Sequence, residues 1–344
     1  MRLLAEWVID RHDGPKRIQL LQGDLADIPR DHAVDVLIVS AFPNDYLPTE
    51  SSLIGALYRS GLSVEGLAGD KQIDLRQQYS SWLSKPVSQV FNFRRILCIE
   101  SGWRGSPPEV TDDIFRALAP YLLTDFPNSS VAMPLIGAGD QGYDPDDMLM
   151  TILQSAVSWM KRGLPLRTLK IVVFRQDQAE KALTAFTDFQ RSHADSFNET
   201  STAVMPEESQ HDIFVSYARE DLNTASFVEK TLRASSSRRL NVFFDQKSLR
   251  EGASWPMQIA SALDGSRRVI PLYSPSYWQS KNCQMEFLAA FARQNDTGGT
   301  ILFPIYLNSA KIPYLFMSLH YADCRINDRP KIVDACSRLA AELA

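Results

Sequence analysis

Near the carboxyl end of this 344-residue chain, Ser274-Pro275-Ser276-Tyr277-Trp278 leads into Ser280-Lys281-Asn282-Cys283-Gln284-Met285-Glu286-Phe287. Among these side chains the Cys283 thiol and the Glu286 carboxylate are the groups weighed for chemistry. Ser280 is placed to cap a helix, on which Cys283, Phe287 and Ala290 recur at i, i+4 and i+7 as one apolar stripe facing a core. Cys283 lies within the stripe and reads as core, not as a nucleophile. Glu286 lies beside it, at the rim between core and solvent, where a charge can be partly desolvated and used; the competing reading is a solvated helix glutamate with no role. Arg268-Val269-Ile270-Pro271-Leu272-Tyr273 reads as a short apolar strand, ended by Ser274-Pro275 because proline cannot donate to a ladder.

A second candidate lies far upstream. Gly137-x-Gly139-x-x-Gly142 follows an apolar run and precedes Tyr143-Asp144-Pro145, where proline at a first-turn position begins a helix. Bare glycine backbone at a helix N-terminus can cradle a phosphate; the competing reading is a tight turn with no ligand. A dinucleotide-binding fold expects such a turn after its first strand, with an acidic residue ending the next. Here the turn comes late, and Lys161-Arg162-Gly163 follows the helix. The five histidines (His12, His32, His193, His211, His320) and four cysteines (Cys98, Cys283, Cys324, Cys336) show no metal-ligand spacing.

Composition narrows the classes. A net charge of -5 gives no general attraction to nucleic acid. No apolar run approaches the ~20 residues of a membrane helix, and Met1 to Glu6 carries no export signal. Few, unpatterned cysteines fit a reducing compartment, so the expectation is a cytoplasmic protein of about two domains.

The elements that must hold these residues alternate between strand and helix. Arg17–Gln22, Val34–Ala41, Arg94–Glu100, Ser130–Ile136 and Leu169–Phe174 read as strands. Ser52–Gly61, Val110–Leu123 and Asp144–Trp159 read as helices. This is an α/β pattern with a mainly parallel sheet. Residues 190–210 are polar and without period, and are expected to be a flexible linker between a domain at 1–189 and another at 211–344. In the second, His211–Ser216, Leu240–Asp245, Arg268–Tyr273, Ile301–Tyr306 and Leu319–Asp323 read as strands. Helices are expected from Leu222, Trp255, Ser280 and Arg329. Such an open parallel sheet, flavodoxin-like, places its clefts beyond the carboxyl ends of the strands.

The N-terminal half resembles a macro domain, the ADP-ribose-binding module, an α/β/α sandwich. The resemblance rests on Gly23-Asp24-Leu25, the strand Asp35–Ala41, and Met133-Pro134-Leu135-Ile136-Gly137-Ala138-Gly139-Asp140-Gln141-Gly142-Tyr143. It implies that Asp24 reads an adenine and that Gly137, Ala138, Gly139, Asp140, Gln141, Gly142 and Tyr143 wrap a diphosphate. Ser40-Ala41-Phe42-Pro43 stands where the family has an Asn-Ala-Ala-Asn run, with Asn44 out of step. This departure argues against ADP-ribose hydrolysis and leaves binding open.

In the C-terminal half, Asp212-Ile213-Phe214-Val215-Ser216-Tyr217, Val242-Phe243-Phe244-Asp245, Leu249-x-x-Gly252-x-x-Trp255, Ser274-Pro275-x-Tyr277 and Ser280-x-x-Cys283-x-x-Glu286-Phe287 occur in that order. Together they resemble a Toll/interleukin-1 receptor (TIR) domain. That family divides into scaffolds that only assemble and enzymes that cleave the nicotinamide–ribose bond of NAD. The enzymes carry a glutamate on the helix after the third strand, where Glu286 stands. The resemblance therefore implies an NAD glycohydrolase activated by self-association with other TIR domains, of the kind bacteria use against phage. Glu286 would be catalytic, NAD would be substrate with no further cofactor, and the N-terminal half would sense a trigger. The alternatives are a non-catalytic TIR adaptor and a protein that works through its macro-like half. Ser216, Tyr217 and Arg219 end the first strand, in reach of the same cleft, and are expected to contact the substrate. Arg219 suits the NAD phosphates, Trp255 a base or a neighbouring subunit, and Ser274 and Tyr277 the pocket wall. The resemblance further implies that Asp245 and Glu251 flank a loop that, in the family, completes the site on assembly.

Overall fold

The computed structural model describes all residues except 12–13, 101–106, 125–126, 137–142, 194–210, 237, 245–261 and 344. The chain divides into two compact units, Met1–Thr202 and Ala203–Ala344.

In the first unit, β1 (Arg2–Ile9), β2 (Lys16–Gln22), β3 (Val34–Ser40), β4 (Lys71–Asp74), β5 (Ser81–Ser84), β6 (Phe93–Ile99), β7 (Ser129–Pro134) and β8 (Leu166–Val173) make one sheet. Their order is β1-β2-β8-β7-β3-β6-β5-β4. The five central strands run parallel. They are the near-continuous apolar runs: Val36 to Val39 are all buried, as expected of a sheet covered on both faces. The edges are antiparallel, β1 on β2 and β4 on β5 on β6, so the mainly parallel sheet expected from the sequence carries antiparallel margins. Among the described residues the helices of this unit are α1 (Leu53–Arg59), α2 (Val64–Gly69), α3 (Arg76–Tyr79), α4 (Pro107–Thr124), α5 (Pro145–Lys161) and α6 (Gln176–His193). Ser52, Ser63 and Asp144 cap α1, α2 and α5 with side-chain oxygens. A Cβ on Gly55 would meet the Thr49 carbonyl oxygen at 1.7 Å, so glycine is what lets the 49–52 turn close against α1.

Helix α6 overturns part of the expected linker, because Gln190 to His193 are helical. Ala179, Ala182, Phe186 and Phe189 form its buried stripe, and His193 stacks on Phe189 at 4.0 Å. These apolar anchors all precede Gln190, so 190–193 look polar and without period in the sequence, yet they continue the helix that the anchors seat.

In the second unit, β9 (His211–Ser216), β10 (Val242–Phe244), β11 (Ser266–Tyr273), β12 (Ile305–Tyr306) and β13 (Ala322–Asp323) lie in the order β10-β9-β11-β12-β13. Every neighbouring pair is parallel. Helices α7 (Leu222–Ser235), α8 (Pro275–Gln279), α9 (Lys281–Thr297) and α10 (Arg329–Leu343) flank it. Val228 and Leu232 of α7 and Ile332, Ala335 and Leu339 of α10 pack with Ile213, Val215, Ile270 and Leu272 in one core. Chain order departs from β9 to one side and returns to β11 on the other. A crevice is therefore expected at the carboxyl ends of β9 and β11. Residues 301–306 were expected as one strand; Pro304 lacks an amide hydrogen, and the ladder is confined to Ile305–Tyr306 with an isolated bridge from Leu302 to Val269.

Candidate active site

Ser216 is the last residue of β9 and is 1% exposed. Its hydroxyl donates to Glu286 Oε2 at 2.6 Å. Glu286 is half-buried on α9, whose first turn is capped by Ser280 accepting from the Cys283 amide. The Tyr277 hydroxyl lies 2.9 Å from Ser216 Oγ. A serine has one proton to give, and here it goes to the carboxylate, so the Tyr277 phenol is the donor to Ser216. Tyr277 is fully buried on the short helix α8. Burial first, then the nearby Cys283 and Glu286, push its phenol well above the ordinary value, so it stays a neutral donor.

A second contact runs the other way across the strands. Ser274, at the carboxyl end of β11, donates to Asp221 Oδ2 at the start of α7. The same Ser274 oxygen accepts from the Tyr277 amide at 3.1 Å. Burial raises the Asp221 carboxyl, with Ser274 pulling it down and Glu220 adding to the rise. Each strand-end serine thus holds the carboxylate that follows the other strand, and Tyr277 touches both serines.

Cys283 is buried, and burial, followed by the negative Glu286, pushes its thiol up to about 12. It is not a nucleophile at neutral pH. Tyr217 is half-buried with its ring stacked on Phe244 at 4.9 Å and 12°. Arg219 is exposed in the turn after β9. Ser274 and Tyr277 are buried supports behind the carboxylates. Asp245, Glu251 and Trp255 lie outside the described residues. Asp221 was not among the residues singled out from sequence. Its signal was an acidic side chain immediately before a helix that follows a strand.

In the N-terminal unit a cleft of about 460 Å³ opens beside the carboxyl ends of β2 and β8. Asp24, Glu50, Ser52, Arg59, Phe174 and Arg175 are in its wall. Asp24 Oδ1 accepts from the Ala26 amide at 2.8 Å, which fixes the carboxylate at the turn after β2. Phe174 is 70% exposed immediately after β8; read from sequence it was only the end of a strand. Tyr143 is half-buried just before the α5 cap, while Gly137 to Gly142 lie outside the described residues. Asn44 has a left-handed backbone at φ 59°. Its amide donates to Glu100 Oε2 at 3.1 Å, and its side-chain oxygen accepts from Arg76 at 2.5 Å. The side-chain oxygen of Asn44 is thus held by Arg76.

No group of three or more His, Cys, Asp or Glu able to hold a metal ion occurs among the described residues. No described helix is long and apolar enough to cross a membrane.

With the geometry in view, residues 213–339 match a family model described as TIR domain, and this segment is a TIR domain. Among solved structures, it is similar to the TIR domain of the Toll-related receptor TRR-2 from Hydra magnipapillata, at 20% identity over 39% of this chain and 98% of that one, with a TM-score of 0.31. Macrodomains are also among the structural neighbours. One from Trypanosoma brucei in complex with ADP is 16% identical over 49% of this chain and 68% of that one, TM-score 0.39. A mutant macrodomain from Oceanobacillus iheyensis is 13% identical over 56% of this chain and 99% of that one, TM-score 0.42. A search of curated proteins returned no match.

Proposed function

We propose that the chain is an NAD glycohydrolase whose TIR domain cleaves the nicotinamide–ribose bond, with Glu286 as the catalytic carboxylate. The observation that carries this reading is the 2.6 Å contact between Ser216 and Glu286. It sets a half-buried carboxylate at the carboxyl ends of β9 and β11, where an open parallel sheet offers its crevice. Breaking the C–N bond sends the bonding pair to nicotinamide, which leaves neutral and needs no strong acid. The ribose becomes oxocarbenium-like, and a carboxylate beside it stabilises that charge and can hold the ribose hydroxyls. Water then adds to the anomeric carbon and releases a proton, giving ADP-ribose; attack by the substrate's own adenine would give a cyclic product. Arg219 and the 245–261 segment are the candidates for the phosphates and base, with the segment acting once TIR domains assemble. Consumption of NAD on assembly suits a defence protein of the antiphage kind.

The test is nicotinamide release from purified full-length protein, with and without a crowding agent, followed by chromatography. Glu286→Ala is expected to lower release by at least ~100-fold. Equal release from the variant, or none from assembled wild type, rules the reading out and favours a non-catalytic adaptor.

The N-terminal cleft supports a second role, binding an ADP-ribose-like ligand. Its volume suits a nucleotide, and Asp24, Phe174 and the arginines Arg59 and Arg175 in its wall offer an acceptor, a stacking face and positive charge. Calorimetric titration with ADP-ribose is expected to give saturable heat in wild type that weakens at least ~10-fold in Asp24→Ala. A flat wild-type trace removes this role.

A further inference from the structure

Two serines end adjacent parallel strands, and each reaches across to the carboxylate belonging to the other. Ser216 on β9 donates to Glu286, which follows β11; Ser274, immediately past β11 and capping α8, donates to Asp221, which follows β9. Between them sits Tyr277, whose hydroxyl lies 2.9 Å from Ser216 Oγ and whose amide donates to Ser274 Oγ at 3.1 Å. We propose that Tyr277 and Ser216 form a positioning chain, phenol to hydroxyl to carboxylate, that orients Glu286 for its work, and that the Ser274–Asp221 pair braces the opposite strand end. The proposal rests on the reading of Glu286 as the working carboxylate.

Geometry and burial argue for it together. Ser216 is 1% exposed and Tyr277 fully buried, so bulk water does not stand in for either hydroxyl. One Ser216 proton serves one Glu286 oxygen, which fixes the rotation of the carboxylate plane. Tyr277 in turn fixes the rotation of the serine hydroxyl, because Ser216 Oγ accepts what the phenol donates. The phenol is itself held at both ends: its ring lies 5.9 Å from that of Tyr273 and 5.5 Å from that of Trp278, and its amide is tied to Ser274. Hydrogen bonds in such a chain reinforce one another, and a charged terminal acceptor makes the last link the strongest. A carboxylate held in one plane before substrate arrives needs no reorganisation as the ribose cation forms. Without Ser216 the hydrogen bond that fixes Glu286 Oε2 is lost, and the orientation that faces the reacting carbon is less populated. The effect should fall on the chemical step and leave substrate binding nearly intact.

Two readouts test it on the full chain. Steady-state nicotinamide release should show Ser216→Ala lowering kcat by roughly 10- to 100-fold, with KM within about threefold of wild type. Ser216→Thr, which keeps the hydroxyl, should recover most of kcat, and Tyr277→Phe should give a smaller loss of the same kind. Independently of turnover, isotope-edited infrared difference spectra of wild type against Glu286→Gln isolate the Glu286 carboxylate stretch. That band should move in Ser216→Ala, stay in place in Ser216→Thr, and move less in Tyr277→Phe. If Ser216→Ala fails to melt cooperatively, Tyr277→Phe carries the same spectroscopic comparison. An unmoved band in the variants overturns the chain, as does full kcat in Ser216→Ala from an active wild type. An inactive wild type, or an active Glu286→Ala, defeats the hydrolase reading instead, while the band shift still decides whether the chain exists.

Discussion

The carboxylate and the thiol three residues before it in α9 share a neighbourhood but have opposite fates. Glu286 keeps contact with solvent at the rim of the core, while Cys283 is sunk into the stripe. Burial and the adjacent negative charge hold the thiol protonated up to about 12, so the thiolate that would attack an alkylating agent is nearly absent at pH 8. Iodoacetamide at pH 8 is therefore expected to leave Cys283 essentially unlabelled in the native protein and to label it fully after unfolding, as read by peptide mass spectrometry. Rapid native labelling would mean that α9 opens or that the thiol is exposed. The helical spacing of Cys283, Phe287 and Ala290 placed Cys283 in the core and Glu286 at its rim, and the ordered motifs around them singled Glu286 out. The contact to Ser216 was not legible, because it joins residues seventy positions apart, brought together only by the pairing of β9 with β11. Asp221 escaped for the same reason: its partner Ser274 stands at the end of a different strand.

At the scale of elements, the apolar runs of β3, β6, β7 and β8 announced themselves because both faces of a central strand are covered. The strand β1 did not. Trp7 and Ile9 face inward while Arg2, Leu3 and Val8 are exposed, an edge pattern that sequence alone leaves ambiguous. The five-residue α8 was hidden between a proline and a second capping serine. The start of β9 carries an anchor that matters for acid stability. Asp212 accepts from the Asn241 amide at 2.8 Å and from two nitrogens of Arg238 at 2.6 and 3.1 Å. Burial alone would raise the Asp212 carboxyl, but Arg238, the Asn241 amide and Arg267 outweigh it and hold the group below the ordinary 3.8. A carboxyl lowered in the folded state contributes its stability in full above the unfolded value, and loses it as pH falls through the lowered folded value. Asp212→Asn is thus expected to destabilise the second unit by about 1–3 kcal/mol at pH 7 and to shrink that difference below pH 3.8, as followed by urea melts across pH. A difference that does not change between pH 7 and pH 3 would show that the ion pair carries none of it.

On the scale of the whole molecule, the two units draw their cores from separate stretches of chain. Ile213, Val228, Ile270 and Leu339 belong to one cluster, and Leu37, Leu57, Trp82 and Ile96 to another. A fragment spanning Ala203–Ala344 is therefore expected to fold without the rest and to melt in one cooperative step by circular dichroism; a broad, featureless melt would show that it leans on the first unit. The all-parallel order β10-β9-β11-β12-β13 has a further consequence. No hairpin can form early, because each strand must await a partner delivered by an intervening crossover. Ile213 pairs with Val242, and Phe214 with Val269, so the middle strand remains unsatisfied along both edges until later chain arrives. The nascent C-terminal unit is thus most adhesive early in its synthesis, when the strand that will end in Ser216 has emerged and its neighbours have not.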